Sequence, residues 1–308
     1  MTSYHVFSGN PLSRGETERR DEKWIVDAST GDRANFVIMK DLEVFVLSGD
    51  EYELVLLNNR DLKALEIENA NALFLGMLDS RAYFVLDVSG ESLLETEFGD
   101  ENRRQFLDVR TAGGVLSWEQ SGIVAQAKSQ IDWHRKNRYC SVCGRQTVIV
   151  RGGQVRRCDG CDSMNYPRVD PVIITVVSDG ERCLLGQSRG RATSSNRFSA
   201  LAGFIDQGES IEEAVAREVM EEAGIEITNI RYHSSQPWPF PYSLMIGCHA
   251  DAVTTDITID DEEMADVRWF TRDDVIESLG GVTDGLTLPG PLAIAHHLIK
   301  SWAENQTG

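Results

Sequence analysis

Three glutamates, Glu218, Glu221 and Glu222, stand at positions i, i+3 and i+4. On a helix that spacing puts them on one face. Three close carboxylates repel one another, so an isolated helix carrying them is destabilised. The spacing alone leaves two readings open. One is a solvated acidic face. The other is a site for a hard divalent cation, since Mg²⁺ and Mn²⁺ prefer carboxylate and carbonyl oxygens. A second constellation is sulfur-based: Cys140-x-x-Cys143 and Cys158-x-x-Cys161, two knuckles separated by 14 residues. Each knuckle offers two thiolates, which suits a tetrahedral zinc ribbon whose closed four-ligand site is structural. The N-terminus is polar and shows no secretory signal, so paired cysteines read as metal ligation and not as a disulfide framework. Cys183 and Cys248 stand alone in apolar stretches and read as small buried side chains.

The elements that must position these groups are visible around them. Ser210 is a good N-cap with Glu213 three residues later, a capping-box pattern. Ile211, Ala214, Val215 and Val219 form an apolar face, and Gly224 is a natural terminator, so a helix is expected from Ser210 to Ala223. Val172 to Val177 reads as a buried strand, with a turn at Asp179-Gly180 and a second strand around Cys183 to Leu185. Asp260, Asp261, Glu262 and Glu263 precede the strand-like Val267 to Phe270. Ahead of the cysteines, Ile123, Val124, Ala127, Ile131 and His134 recur at helical spacing between Trp118 and Asn137. From Trp24 to Val109, short apolar runs at 44–47, 51–57, 72–78 and 83–88 are broken by turn residues and read as strands. The first 20 or so residues are polar and charged and read as a loose arm.

Composition limits what these groups can serve. With 308 residues and 26% charged side chains, the chain reads as a soluble folded protein of two domains with a small insert. No run approaches 18 apolar residues, so a membrane span or membrane partner is not expected and the expected location is cytoplasmic. The net charge of −19 argues against a general nucleic-acid-binding surface. It leaves room for an anionic substrate approached through divalent cations.

From Gly203 the chain reads Gly-Phe-Ile-Asp-Gln-Gly-Glu-Ser-Ile-Glu-Glu-Ala-Val-Ala-Arg-Glu-Val-Met-Glu-Glu-Ala-Gly-Ile. This resembles the Nudix box at Gly203, Glu209, Arg217, Glu218, Val219, Glu221, Glu222, Gly224 and Ile225. Downstream, Ser235-Gln236-Pro237-Trp238-Pro239-Phe240-Pro241-Tyr242-Ser243 is similar to an element of the NADH pyrophosphatase branch of that superfamily. Its prolines preset φ and make a stiff, extended stretch. That branch also carries a four-cysteine ribbon between a β-rich N-terminal domain and the Nudix domain. The resemblance implies an α+β protein. Its parts would be a β-rich N-terminal domain with a linking helix (1–135), a zinc ribbon (136–165) and a Nudix α/β/α sandwich with a mixed sheet (166–308).

The same resemblance implies site residues. Glu218 and Glu222 would be core Mg²⁺ or Mn²⁺ ligands, and Glu221 a third ligand or water activator. The Ala202 carbonyl and Glu263 would complete that site, with Glu262 the alternative to Glu263. Arg110, Tyr166, Phe204 and Ala295 would touch substrate, as would Gln236, Pro237, Trp238, Pro239, Phe240, Pro241, Tyr242 and Ser243. Trp238 could instead serve a dimer interface. Glu209 and Arg217 are expected to form a salt bridge pinning loop to helix. Arg182, Arg189, Arg191 and Arg197 read either as phosphate ligands or as solvated surface arginines. The implied reaction splits NAD(H) into nicotinamide mononucleotide and AMP, with removal of NAD caps from RNA 5′ ends as a second activity. A homodimer sharing its substrate sites is the family expectation. Two rivals remain: a Nudix hydrolase for another substrate such as ADP-ribose, and a non-catalytic ribbon protein binding a nucleotide or nucleic acid.

Overall fold

The computed structural model describes residues 5–90, 103–189, 196–281 and 285–305, and Arg191 lies outside them. The chain divides into two compact units: residues 1–169 with Trp238–Tyr242, and residues 170–237 with 243–308.

In the first unit the order is α1 (Glu22–Thr30), β1 (Ala34–Lys40), β2 (Glu43–Leu47), β3 (Glu53–Leu54), β4 (Leu56–Leu57) and α2 (Asn59–Ala64). There follow β5 (Leu73–Leu78), β6 (Arg81–Asp87), β7 (Arg104–Leu107), α3 (Val109–Val115) and α4 (Trp118–Lys136). The sheet runs β3-β2-β1-β6-β5, with β4 on β1 and β7 on β2, and β1 and β6 are parallel. Alternation divides its two faces. Phe36 and Ile38 pack with Phe74, Phe84, Ile25 of α1 and Leu62 of α2. Val37 and Met39, equally buried, point the other way, and α4 crosses β1, β5 and β6. The expected strands and the expected helix α4 are therefore present, with three shorter helices, α1 to α3, added. Helix α1 is capped by Asp21, and α2 by a capping box of Asn58 and Asp61.

The loose arm is corrected by the structure for the residues described. Phe7 and Leu12 are buried, and Ser13 bridges Met77. Arg19 is also buried, its guanidinium donating to the carbonyls of Arg14, Phe74 and Leu75. A few anchors in a polar stretch hold it down, and average polarity hides them.

After α4 come the ribbon strands β8 (Thr147–Val150), β9 (Val155–Cys158) and β10 (Met164–Asn165), an antiparallel sheet in the order β10-β9-β8. His134, near the end of α4, accepts from Arg156 at Nδ1 (2.9 Å) and donates from Nε2 to the Gly153 carbonyl (2.8 Å). An arginine can only donate, and this fixes the neutral tautomer.

The second unit contains β11 (Asp170–Ser178), β12 (Arg182–Ser188), β13 (Leu201–Phe204), α5 (Ile211–Ala223), β14 (Ile227–Trp238, of which Trp238 groups with the first unit) and β15 (Ser243–Ala252). It ends with β16 (Met264–Thr271), α6 (Arg272–Leu279) and α7 (Ile294–Ala303). The sheet order is β14-β15-β11-β12-β16, with β13 on β11; β15 is parallel to β11 and β13 antiparallel, so the sheet is mixed. On one face Ile173, Val177, Leu184 and Cys248 meet Ala214, Val215, Val219 and Ala223 of α5. On the other, Ile174, Val176 and Cys183 meet Val275 of α6 and Leu298 and Trp302 of α7. The sandwich and the burial of both lone cysteines match the sequence expectation.

Candidate active site

Helix α5 is fixed at both ends by its own sequence. Ser210 accepts from the Glu213 amide (3.2 Å) while the Ser210 amide donates to Glu213 (2.7 Å). Gly224 ends the helix at φ +67°, where a side chain is strained. The apolar stripe faces the sheet, and this forces the glutamates against β13. Glu218 and Glu222 are 8% and 6% exposed, whereas Glu221 is half exposed. Glu218 lies over Gly203: a Cβ there would sit 1.9 Å from the carboxyl carbon. No residue but glycine leaves that carboxylate its place.

Arg217 organises the rest. Its Nε donates to Glu209 (2.6 Å), its Nη1 to Glu218 and Glu221 (both 2.9 Å), and its Nη2 to the Phe204 carbonyl (2.9 Å). Three carboxylates share one guanidinium, and the loop before α5 is tied to the helix as expected. The Glu209 carboxyl is held down to about 2, chiefly by its hydrogen bond from Arg217. Glu222 has no such partner. Burial, then the charge of Glu218, push its carboxyl up to about 8, opposed by the Ala202 amide, which donates to it; Glu263 and Glu221 push the same way as Glu218. Burial also raises Glu218, against the pull of Arg217 and with the push of Glu221 and Glu263. The Glu222 Oε2 is buried without a hydrogen-bond partner among the described residues. A buried, unpartnered carboxylate oxygen beside further carboxylates is costly without a cation and suits an oxygen-seeking divalent metal.

The ribbon presents a different donor set. The four Sγ atoms lie within 4.8 Å of one another, with Cys140 to Cys161 at 3.7 Å and Cys143 to Cys158 at 3.4 Å. Zn–S bonds of ~2.3 Å arranged tetrahedrally separate sulfurs by about 3.8 Å, so the thiols fit zinc. The amides of Val142 and Gly160 donate to Cys140 and Cys158, both at 3.3 Å, steadying one sulfur of each knuckle.

The proline-aromatic string is not extended throughout. Strand β14 ends at Trp238, a turn follows with a cis Phe240–Pro241 peptide, and β15 starts at Ser243. Trp238 through Tyr242 group with the first unit. Phe7 meets the rings of Trp238 and Phe240 edge-on at 6.0 and 5.9 Å. Arg110 lies over the same two rings at 5.0 and 4.6 Å, and Lys136 over Tyr242 at 5.6 Å.

Three family models match successive stretches of the chain. Residues 167–286 match the NUDIX domain model, 33–133 the NADH pyrophosphatase-like rudimentary NUDIX domain, and 135–166 the NADH pyrophosphatase zinc ribbon domain. The chain is 36% identical to NAD-capped RNA hydrolase NUDT12 of Homo sapiens over 97% of its own length and 73% of that protein's. It is 40% identical to the mitochondrial NAD(P)H pyrophosphatase NUDT13 of Mus musculus, over 73% of this chain and 69% of the relative. This chain is a Nudix hydrolase of the NADH pyrophosphatase family. It is also 38% identical to NAD-capped RNA hydrolase NudC of Pseudomonas syringae pv. syringae, over 67% of each chain.

Within this Nudix hydrolase the predicted site residues fall into groups. Ala202, Glu218, Glu221 and Glu222 come together on β13 and α5, and the charge of Glu263 acts on both Glu218 and Glu222. Phe204 ends β13 with an exposed ring. Gln236 is fully buried; its Nε2 donates to the Leu292 carbonyl and its Oε1 accepts the Ile294 amide, both at 2.8 Å, so it clamps the start of α7. Ala295 is a buried core side chain in the first turn of α7, where only its backbone could meet a ligand. Pro237 lies on β14 beside Gln236, and Ser243 opens β15 opposite Asp170. Trp238, Pro239, Phe240, Pro241 and Tyr242 form the turn with Arg110, and Tyr166 is exposed after the ribbon. Of the basic segment, Arg182 pairs with Asp179 at 2.6 Å and Arg189 reaches the Met264 carbonyl at 3.4 Å. Sequence reasoning missed Phe7 and Lys128. The signal for Lys128 was present: it shares a helix face with Val124 and Ile131, a lysine on an apolar stripe.

Proposed function

We propose that this Nudix hydrolase cleaves the pyrophosphate bond of NAD(H), giving nicotinamide mononucleotide and AMP, and removes NAD caps from RNA 5′ ends. The observation that carries the reading is the pairing of two features. One is a buried, cation-seeking carboxylate cluster on α5. The other is an aromatic turn of the kind found in this branch. The relatives named NAD-capped RNA hydrolase and NAD(P)H pyrophosphatase support the same substrates. Glu218, Glu221 and Glu222, with the Ala202 carbonyl and Glu263, would hold Mg²⁺ or Mn²⁺. Such a cation neutralises the pyrophosphate and lowers the pKa of an attacking water. Gly203 keeps the Glu218 carboxylate in place, and Arg217 holds the loop bearing Glu209 against α5. Phe204 and the Trp238–Tyr242 turn would receive the substrate's flat rings. Paired free thiols suit a reducing compartment such as the cytoplasm. No described helix is long and apolar enough to cross a membrane. A homodimer with shared substrate sites completes the reading.

The test is a product analysis. Protein supplied with Mg²⁺ or Mn²⁺ is given NADH, NAD⁺, ADP-ribose, ADP-glucose and NAD-capped RNA, and products are resolved chromatographically. AMP and the nicotinamide mononucleotide from NAD(H), with 5′-monophosphate RNA from the capped transcript, are expected. Turnover of ADP-ribose alone would replace this reading with that of another nucleoside-diphosphate hydrolase. Sedimentation at assay concentrations reads the oligomeric state.

A further inference from the structure

Lys128 is a buried cation of the first unit, 7% exposed, on the inner face of α4. Burying an ammonium is costly unless its donors are used. Its Nζ donates to the Pro239 carbonyl at 2.7 Å and lies 4.9 Å from the centroid of the Phe240 ring. One position on, Ser129 donates to the Pro241 carbonyl at 3.3 Å. Two consecutive residues of α4 thus hold two carbonyls of one proline turn, and prolines offer those carbonyls with no amide of their own. Asp132, one turn along α4 and itself buried, favours the charged ammonium, while its carboxylate accepts from Lys136 at 2.7 Å.

We infer that Lys128 is a positioning residue: through the Pro239 carbonyl and the Phe240 ring it fixes the Trp238–Tyr242 turn in the shape that reads the nicotinamide half of the substrate. The inference rests on the reading of that turn as a substrate element. The substrate class is a dinucleotide with a second flat base, as opposed to a nucleoside-diphosphate sugar.

The experiment compares Lys128→Met, Lys128→Arg and Ser129→Ala with the parent, using full-length, zinc-loaded protein and both NADH and ADP-ribose. Losing a charge-assisted hydrogen bond predicts a rise of about tenfold or more in KM for NADH in Lys128→Met. kcat should change little, and kcat/KM for ADP-ribose should stay within about twofold. Lys128→Arg should recover most of the NADH KM, since a cation and donor return. Ser129→Ala should shift the NADH to ADP-ribose ratio the same way by about twofold, and it keeps the test decisive if Lys128→Met fails to fold. Hydrogen exchange gives a readout besides activity. The Phe240 amide, bonded to the Trp238 carbonyl at 2.7 Å, should exchange faster in Lys128→Met at unchanged zinc content. An unchanged NADH KM, or equal losses on both substrates, overturns the inference. Trp238→Ala separates the two levels. If that variant leaves the substrate ratio unchanged, the reading of the turn fails first. If it changes the ratio and the Lys128 and Ser129 variants do not, only the positioning role fails.

Discussion

Helices α5 and α4 both bury charge, in opposite senses and with opposite consequences. On α5 the buried groups are carboxyls, and one oxygen of Glu222 has no partner among the described residues. On α4 the buried cation is Lys128, and its ammonium is already spent on a carbonyl and an aromatic ring. An unsatisfied buried charge is a demand on something outside the chain; a satisfied one is a piece of internal scaffolding. On the proposed function, the first marks where chemistry happens and the second where shape is held. Removing the first kind of charge should cost activity and spare the fold. Removing the second should alter recognition.

The hardest test of the contrast is Glu222→Gln. We expect kcat on NADH to fall by at least roughly 10²-fold, about 2.7 kcal/mol, with the thermal midpoint of the metal-free protein unchanged or raised. Near-normal turnover in Glu218→Gln, Glu221→Gln and Glu222→Gln alike would leave α5 with only a crowded surface. Next in size is Trp238→Ala. Losing a stacking partner worth about 1–3 kcal/mol should reduce kcat/KM for NADH by roughly 5- to 150-fold and that for ADP-ribose by less. A dimer-interface role would instead lower activity on every substrate together, with a concentration dependence visible by sedimentation.

A third test uses pH. The Glu222 carboxyl is raised from 4.5 to about 8 in the folded chain, so between those values the folded state holds the proton more tightly than the unfolded state. Metal-free protein should accordingly lose stability as pH rises from about 4.5 to 8, through this group, and Glu222→Gln should flatten that slope. Buried His134 works in the reverse direction. Burial lowers it from 6.5 to about 4, so its contribution is present above 6.5 and lost as pH falls toward 4. Denaturant melts of the two proteins across pH 4.5–8, with chelator, isolate the Glu222 part; parallel curves would show that the carboxyl is not raised. The smallest expected effect discriminates neighbours. Glu263, whose charge acts on Glu218 and Glu222, should lose about tenfold in kcat as Gln, whereas Glu262→Gln should stay within about twofold.

The same contrast explains what could be read from the chain before its structure. Helix α5 was legible because its cap, apolar stripe, carboxylates and terminator all lie within Ser210 to Gly224, and helical geometry alone relates them. The ribbon was legible because paired knuckles are local. The Nudix sheet followed from the box and from buried strands with clear turn signals. The setting of the aromatic turn was not legible. Phe7, Arg110, Lys128 and Trp238 have no spacing that relates them, and only tertiary contact brings them together. The arm was misread because a few buried anchors, Phe7, Leu12 and Arg19, are outnumbered by exposed polar neighbours. Helices α1, α2 and α3 are each nine residues or fewer, too short for a periodic signal to stand out. Ala295 shows another limit: a motif can mark a position where the side chain faces the core and only the backbone is free to act.

Because the first unit takes in Trp238–Tyr242, it is discontinuous along the chain. During synthesis the segments carrying Phe7, Arg110 and Lys128 leave the ribosome well before the turn they grip. Until that turn arrives, Phe7 has no Trp238 to lean on and the Lys128 ammonium has no Pro239 carbonyl, which favours a half-hydrated, unfinished unit. Completion of the early part of the chain is thereby timed by the emergence of the late part. A polypeptide stopped at Val169 would carry every residue of the N-terminal sheet and the ribbon and still lack the piece that closes them.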